Sequence, residues 1–147
     1  MTPRNLCRGH TMLLAVGLLV LAGCTNVTKD QLRTIVAPTG GQLASKHLAE
    51  MASEFFSGLG YQCQADGDER FLRCRKDLRD LYIHQTHAVV QLFPGDTQDE
   101  HLLLTSRWDQ GWIPGELISN HFVNPDVAEF CDWLAAQGTA TCRIETA

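Results

Sequence analysis

The chain has 147 residues, with 12 Lys or Arg against 17 Asp or Glu and a net charge of −5. That acidic balance argues against a general nucleic-acid binder, whose surface is normally basic, and the length suits one modest domain rather than two. It also contains six cysteines, whose reading depends on the compartment in which the protein works.

Arg4 and Arg8 open the chain, and eleven uncharged residues follow at 12–22, MLLAVGLLVLA. A bilayer-spanning helix needs roughly 20 apolar residues. This run is too short, and its basic start followed by a brief apolar core has the layout of an export signal. The signal ends in Leu21, Ala22, Gly23 and Cys24. This tetrad resembles the lipobox of bacterial lipoproteins. The resemblance implies that residues 1–23 are a cleaved signal peptide and that the Cys24 thiol receives a diacylglycerol. Cys24 would then be the first mature residue, with its amino group acylated. It also implies delivery to the outer membrane, facing the periplasm, because Thr25 rather than Asp follows the cysteine. Acyl chains in that number exceed the two signals that stable anchoring requires. The remaining 124 residues carry 10 basic against 17 acidic side chains, a net charge of −7.

Residues 24–42 are mostly polar and end in a Pro-Thr-Gly-Gly breaker, which suggests a lipidated cysteine followed by a flexible tether. An alternative is that QLRTIVA within it forms a short edge strand or a partner-binding segment. Residues 43–147 would form a single periplasmic domain. Its first element is a helix, because Leu48, Met51, Ala52, Phe55, Phe56 and Leu59 recur at helical spacing before Gly58 and Gly60. Four short strand-like segments follow at 61–65, 70–75, 81–93 and 101–108, separated by the turn-rich DGDE and PGDTQDE. A second helix is announced by Asn124 as cap, Pro125 at the first turn and Asp126 near the positive dipole end. A last strand is expected at 139–146. The expected class is two-layer α+β, in the order helix, four strands, helix, strand, with an antiparallel sheet and helices on one face.

With Cys7 in the signal and Cys24 lipidated, Cys63, Cys74, Cys131 and Cys142 remain, an even number in an oxidising periplasm. Four cysteines allow three pairings. Cys63 and Cys74 flank one turn symmetrically, and Cys131 on the second helix lies shortly before Cys142 on the last strand, which favours local pairing. These spacings lack the close cysteine pairs of zinc sites, and Cys-x-x-Cys does not occur.

No cofactor, metal site or catalytic constellation is expected. His84 and His87 are three apart in a strand, a spacing that sends them to opposite faces, and no Gly-x-Ser-x-Gly elbow is present. Two stretches are candidate partner-binding surfaces. RFLRCRKDLR gathers Arg70, Arg73, Arg75, Lys76 and Arg79, with Phe71, Arg73 and Arg75 facing outward if Cys74 faces inward. Its alternative role is a solvated edge whose charges discourage strand pairing. The segment 107–122 carries Trp108 and Trp112, either as recognition aromatics or as a cover for the core end. Together these features lead us to expect an outer-membrane-anchored lipoprotein that binds an envelope protein partner, such as an assembly or secretion component. The alternatives are an inhibitor or immunity lipoprotein directed at a cell-wall hydrolase, and an envelope hydrolase.

Overall fold

A computed structural model describes residues 24–39, 41–65, 71–97, 99–112 and 118–145. Among them, strands β1 (Cys24–Lys29) and β2 (Arg33–Val36) precede helix α1 (Ser45–Gly58). Strands β3 (Gln62–Ala65), β4 (Leu72–Leu81), β5 (His84–Pro94) and β6 (Glu100–Gly111) follow, then helix α2 (Pro125–Ala136) and β7 (Thr141–Ile144). The seven strands form one sheet in the order β3-β4-β5-β6-β2-β7, with β1 also on β6, and every pairing is antiparallel. The fold is therefore α+β with an antiparallel sheet.

The expected order lacked β1 and β2, and the segment expected to be a tether carries both. Lys29 pairs with Ser106 and Arg33 with Leu103, so three residues of this segment face two of β6. β1 and β2 are thus one strand interrupted by a one-residue bulge. β2 is interior, between β6 and β7, and Ile35 on it is fully buried. Asp30 in the bulge receives the backbone N–H of Asn124 at 3.0 Å and pairs with Arg33 at 3.5 Å. The bulge thereby fastens the first strand to the start of α2.

Both helices pack on the same face of the sheet. Leu48, Ala52 and Phe56 of α1 and Val127, Phe130 and Leu134 of α2 join Ile35, Leu72, Cys74, Ala88, Val90, Leu92 and Leu103 in one core. Phe56 and Phe130 touch with ring centroids 5.1 Å apart, and Phe55 and Trp133 extend this aromatic contact. Asn124 caps α2 by accepting the Asp126 N–H at 3.2 Å, as its position before Pro125 suggests. Its Nδ2 donates to Tyr61 Oη and to Thr105 Oγ1, each at 3.1 Å. The Tyr61 hydroxyl in turn donates to Asp126 at 2.9 Å, and its pKa is raised, chiefly by burial.

The two disulfides are Cys63–Cys74 and Cys131–Cys142, the local pairing. Cys63 and Cys74 sit directly opposite in the β3/β4 register, and Cys131–Cys142 pins α2 to β7. Each closes a loop with a sequence separation of 11. The chain-entropy model gives about 3 kcal/mol for a loop near that size. The strands at the two ends of the order, β3 and β7, are only four residues long.

Candidate functional site

Alternation along β4, β5 and β6 divides the polar side chains between the two faces of the sheet. His84, Thr86, Ala88, Val90 and Leu92 share the helix-bearing face, while Gln85, His87, Val89 and Gln91 lie on the helix-free one. His84 and His87 therefore point to opposite sides, and each has a different neighbourhood.

On the helix-free face, His87 is directly opposite Trp108 in the register, and their rings stack with centroids 6.1 Å apart and planes 17° from parallel. The Arg73 guanidinium lies over the same indole, 5.9 Å from its centroid. The Trp108 N–H is held by Ser106 Oγ at 3.0 Å, which fixes the ring. Arg75, opposite Val89, reaches Asp77 with two hydrogen bonds of 3.1 and 3.2 Å. Phe71 and Phe93 meet edge to face beside this cluster. Burial lowers the His87 pKa, and the neighbouring Arg75 charge lowers it further. His87 is thus neutral near pH 7, and with Arg75 paired to Asp77 the uncompensated positive charge of the platform is that of Arg73. No carboxylate pairs with Arg73 among the described residues. Cationic and aromatic surface together suit an acidic, partly apolar ligand.

Of the residues singled out from the sequence, Arg73, Arg75 and Trp108 are brought together here. Lys76 and Arg79 are not, because the pleat and a register shift turn them to the other face. Lys76 faces the helices, where it pairs with Asp126 at 3.1 Å and lies over the Tyr61 ring. A register shift between Asp77 and Arg79 then sets Arg79 opposite Thr86, again on the helix side. Trp112 lies one residue beyond β6, largely exposed and away from Trp108. Arg70 and the lipobox residues 21–23 lie outside the described residues, and Cys24 is described only as the first position of β1.

On the helix-bearing face, beyond the helices, a cavity of about 360 Å³ is lined by residues that include Arg79, His84, Thr86, Arg107, Asp109 and Ser119. Asp109 on its wall is buried. It accepts hydrogen bonds from Arg107 Nε at 2.8 Å and from Thr86 at 3.0 Å, and His84 Nε2 lies 3.4 Å away. Burial pushes the Asp109 carboxyl up, but the Arg107 and Thr86 hydrogen bonds, the Arg107 charge and His84 outweigh it and hold the pKa below the ordinary range. Arg107 also donates to the carbonyls of Ser119 and His121 and lies over the Phe122 ring. The group thus ties the segment ahead of α2 to the sheet. The sequence singles out His84 only beside His87, as a metal pair to be set aside, and leaves Thr86, Arg107 and Asp109 unremarked, although their i, i+2 spacing on paired strands was the available signal.

No protein-family model matches the chain, and no similar curated protein was found.

Proposed function

We propose that the chain is an outer-membrane-anchored lipoprotein whose periplasmic domain holds an envelope protein partner on the helix-free face of its sheet. The observation that carries this reading is the Arg73–Trp108–His87 stack with Arg75 alongside. A cation with no carboxylate partner among the described residues, fixed over an aromatic ring, offers a ready contact for an acidic segment with an apolar side chain. Anchoring rests on Leu21, Ala22, Gly23 and Cys24, and the outer membrane on Thr25. A binding role is favoured over catalysis because Asp109, the carboxylate that lines the cavity among the described residues, is already engaged by Arg107 and Thr86. The same surface would serve an inhibitor of a wall hydrolase or a component of an assembly machine, and the partner's identity separates the two.

The test is affinity capture after crosslinking in intact cells, comparing the unaltered protein with Arg73→Glu/Arg75→Glu and with Trp108→Ala. Charge reversal should abolish recovery of a discrete partner, and Trp108→Ala should reduce it at least tenfold. Equal recovery by all three proteins would remove this face from the account.

A further inference from the structure

The end of the sheet opposite the PGDTQDE turn carries large apolar side chains that the fold leaves in water. At the β4–β5 turn Tyr82 is fully exposed at 106 %, and Ile83 is 55 % exposed. Leu81 beside them and Trp112 are also exposed, at 47 % and 64 %. The backbone N–H of Trp112 donates to the Ile83 carbonyl at 3.0 Å, which holds the indole segment against the turn. Contiguous exposed apolar surface of this kind marks an interaction site.

Its place in the sheet points to the occupant. Cys24 pairs with Gly111, and Gly111 pairs with His84, so Cys24, the end of β6 and the β4–β5 turn share one rim. Two inter-strand spacings put Cys24 about 10 Å from the first residue of β5. β1 begins at Cys24 itself, leaving no linker between the acylation position and the sheet. A cysteine carrying acyl chains would hold this rim at the bilayer surface.

We infer that the turn at Tyr82–Ile83, with Leu81 and Trp112, seats in the interfacial layer of the lipid bilayer. The inference rests on the lipid-anchor reading and adds a second, side-chain contact to it. Tyr and Trp favour the headgroup level, where an apolar ring meets a polar edge, and Ile and Leu partition deeper. Arg79 and Asp80 next to the turn carry opposite charges, so attachment there is apolar rather than electrostatic. Acyl chains alone would let the domain swivel about Cys24, whereas an embedded rim fixes its orientation.

The intact acylated protein is reconstituted into phosphatidylethanolamine/phosphatidylglycerol vesicles with and without brominated phosphatidylcholine, and tryptophan fluorescence is recorded. The mass of the N-terminal peptide is measured in the same preparation. Brominated lipid should quench the unaltered protein. Trp112→Phe should lose the quenched component, because Trp108 lies about four residues back from Trp112 along the strand direction and Trp133 sits on α2. Tyr82→Ser/Ile83→Ser should cut quenching at least threefold with the same acylated peptide mass. An acylated protein quenched no more than Trp112→Phe overturns the rim contact while leaving the anchor intact. So does concentration-dependent self-association that shields Trp112 from both lipid and iodide, which would make a second copy the occupant. An N-terminal peptide without acyl mass overturns the anchor reading and the rim contact together.

Discussion

Asn124→Ala would remove a residue that joins α2 to Tyr61 and to β6. Its side-chain oxygen caps α2, and its amide nitrogen holds Tyr61 and Thr105. Loss of an N-cap costs about 1 kcal/mol. Each of the two further hydrogen bonds contributes about 1 kcal/mol net. Neither hydroxyl is left wholly unpaired, since Thr105 still donates to the Val89 carbonyl at 3.2 Å and Tyr61 to Asp126 at 2.9 Å. The expected loss is therefore about 3 kcal/mol. With a urea dependence of roughly 1.5 kcal/mol per molar for a domain of this size, the unfolding midpoint should fall by about 2 M. Asn124→Ser retains a capping oxygen but is too short to reach Tyr61 and Thr105, and it should lose about two-thirds as much. Unfolding followed by far-ultraviolet circular dichroism measures both. A midpoint shift under about 0.5 M for Asn124→Ala would refute the idea that this side chain joins α2 to the sheet.

Three other outcomes follow from the structure. Replacing both Cys131 and Cys142 with alanine should lower stability by about 3 kcal/mol in urea unfolding, as the loop closed by a separation of 11 predicts. Gly111→Ala should cost about 2 kcal/mol or more in the same assay. Gly111 has φ of 148°, and an added Cβ would stand 2.7 Å from the His84 Cα. Stability should also fall on acidification. Burial lowers the His101 pKa against the weaker upward pull of Asp99, and burial with the Arg75 charge lowers that of His87. The unfolded chain then takes up protons first as pH drops below the ordinary histidine value of 6.5, so stability declines from there toward the depressed folded values. Asp109 adds a further loss below the ordinary 3.8. Urea midpoints should stay nearly level from pH 7.5 to about 6.5 and fall from there to pH 4.5, and His101→Gln, which keeps a hydrogen-bonding group near Ser45 Oγ, 2.9 Å from His101 Nε2, should flatten the decline.

Strong local signals made much of the fold legible. The spacing of Leu48, Ala52 and Phe56 and the Asn124-Pro125 start located both helices, and the turn-rich segments located the meander. The disulfide pairing followed from Cys63 and Cys74 flanking a turn. β1 and β2 were hidden by their own bulge. Val27 lies opposite Trp108 on the helix-free face and Ile35 opposite His101 on the helix-bearing face, although their even spacing puts them on one face of a regular strand. A period-two reading of TNVTKDQLRTIVA therefore cancels and the polar residues dominate. In β5, the mixed pattern had a physical cause as well. Ala88, Val90 and Leu92 lie beneath the helices, while His84 and Thr86 on the same face run past them into the Asp109 cavity. For the candidate site, Arg73, Arg75 and Trp108 were each noticed, but their meeting depends on β4, β5 and β6 lying side by side, which no local pattern encodes.

The central proposal is that the helix-free face holds a protein partner. A photoreactive benzoylphenylalanine at Gln64, exposed on β3 opposite Arg73, tests it most directly in living cells. The same group at Glu129, exposed on α2, is the control. One discrete adduct is expected from position 64, none from position 129, and loss of the adduct when Arg73 and Arg75 are changed to glutamate. An adduct from position 129 alone, or one from position 64 that survives the charge reversal, would contradict the proposal.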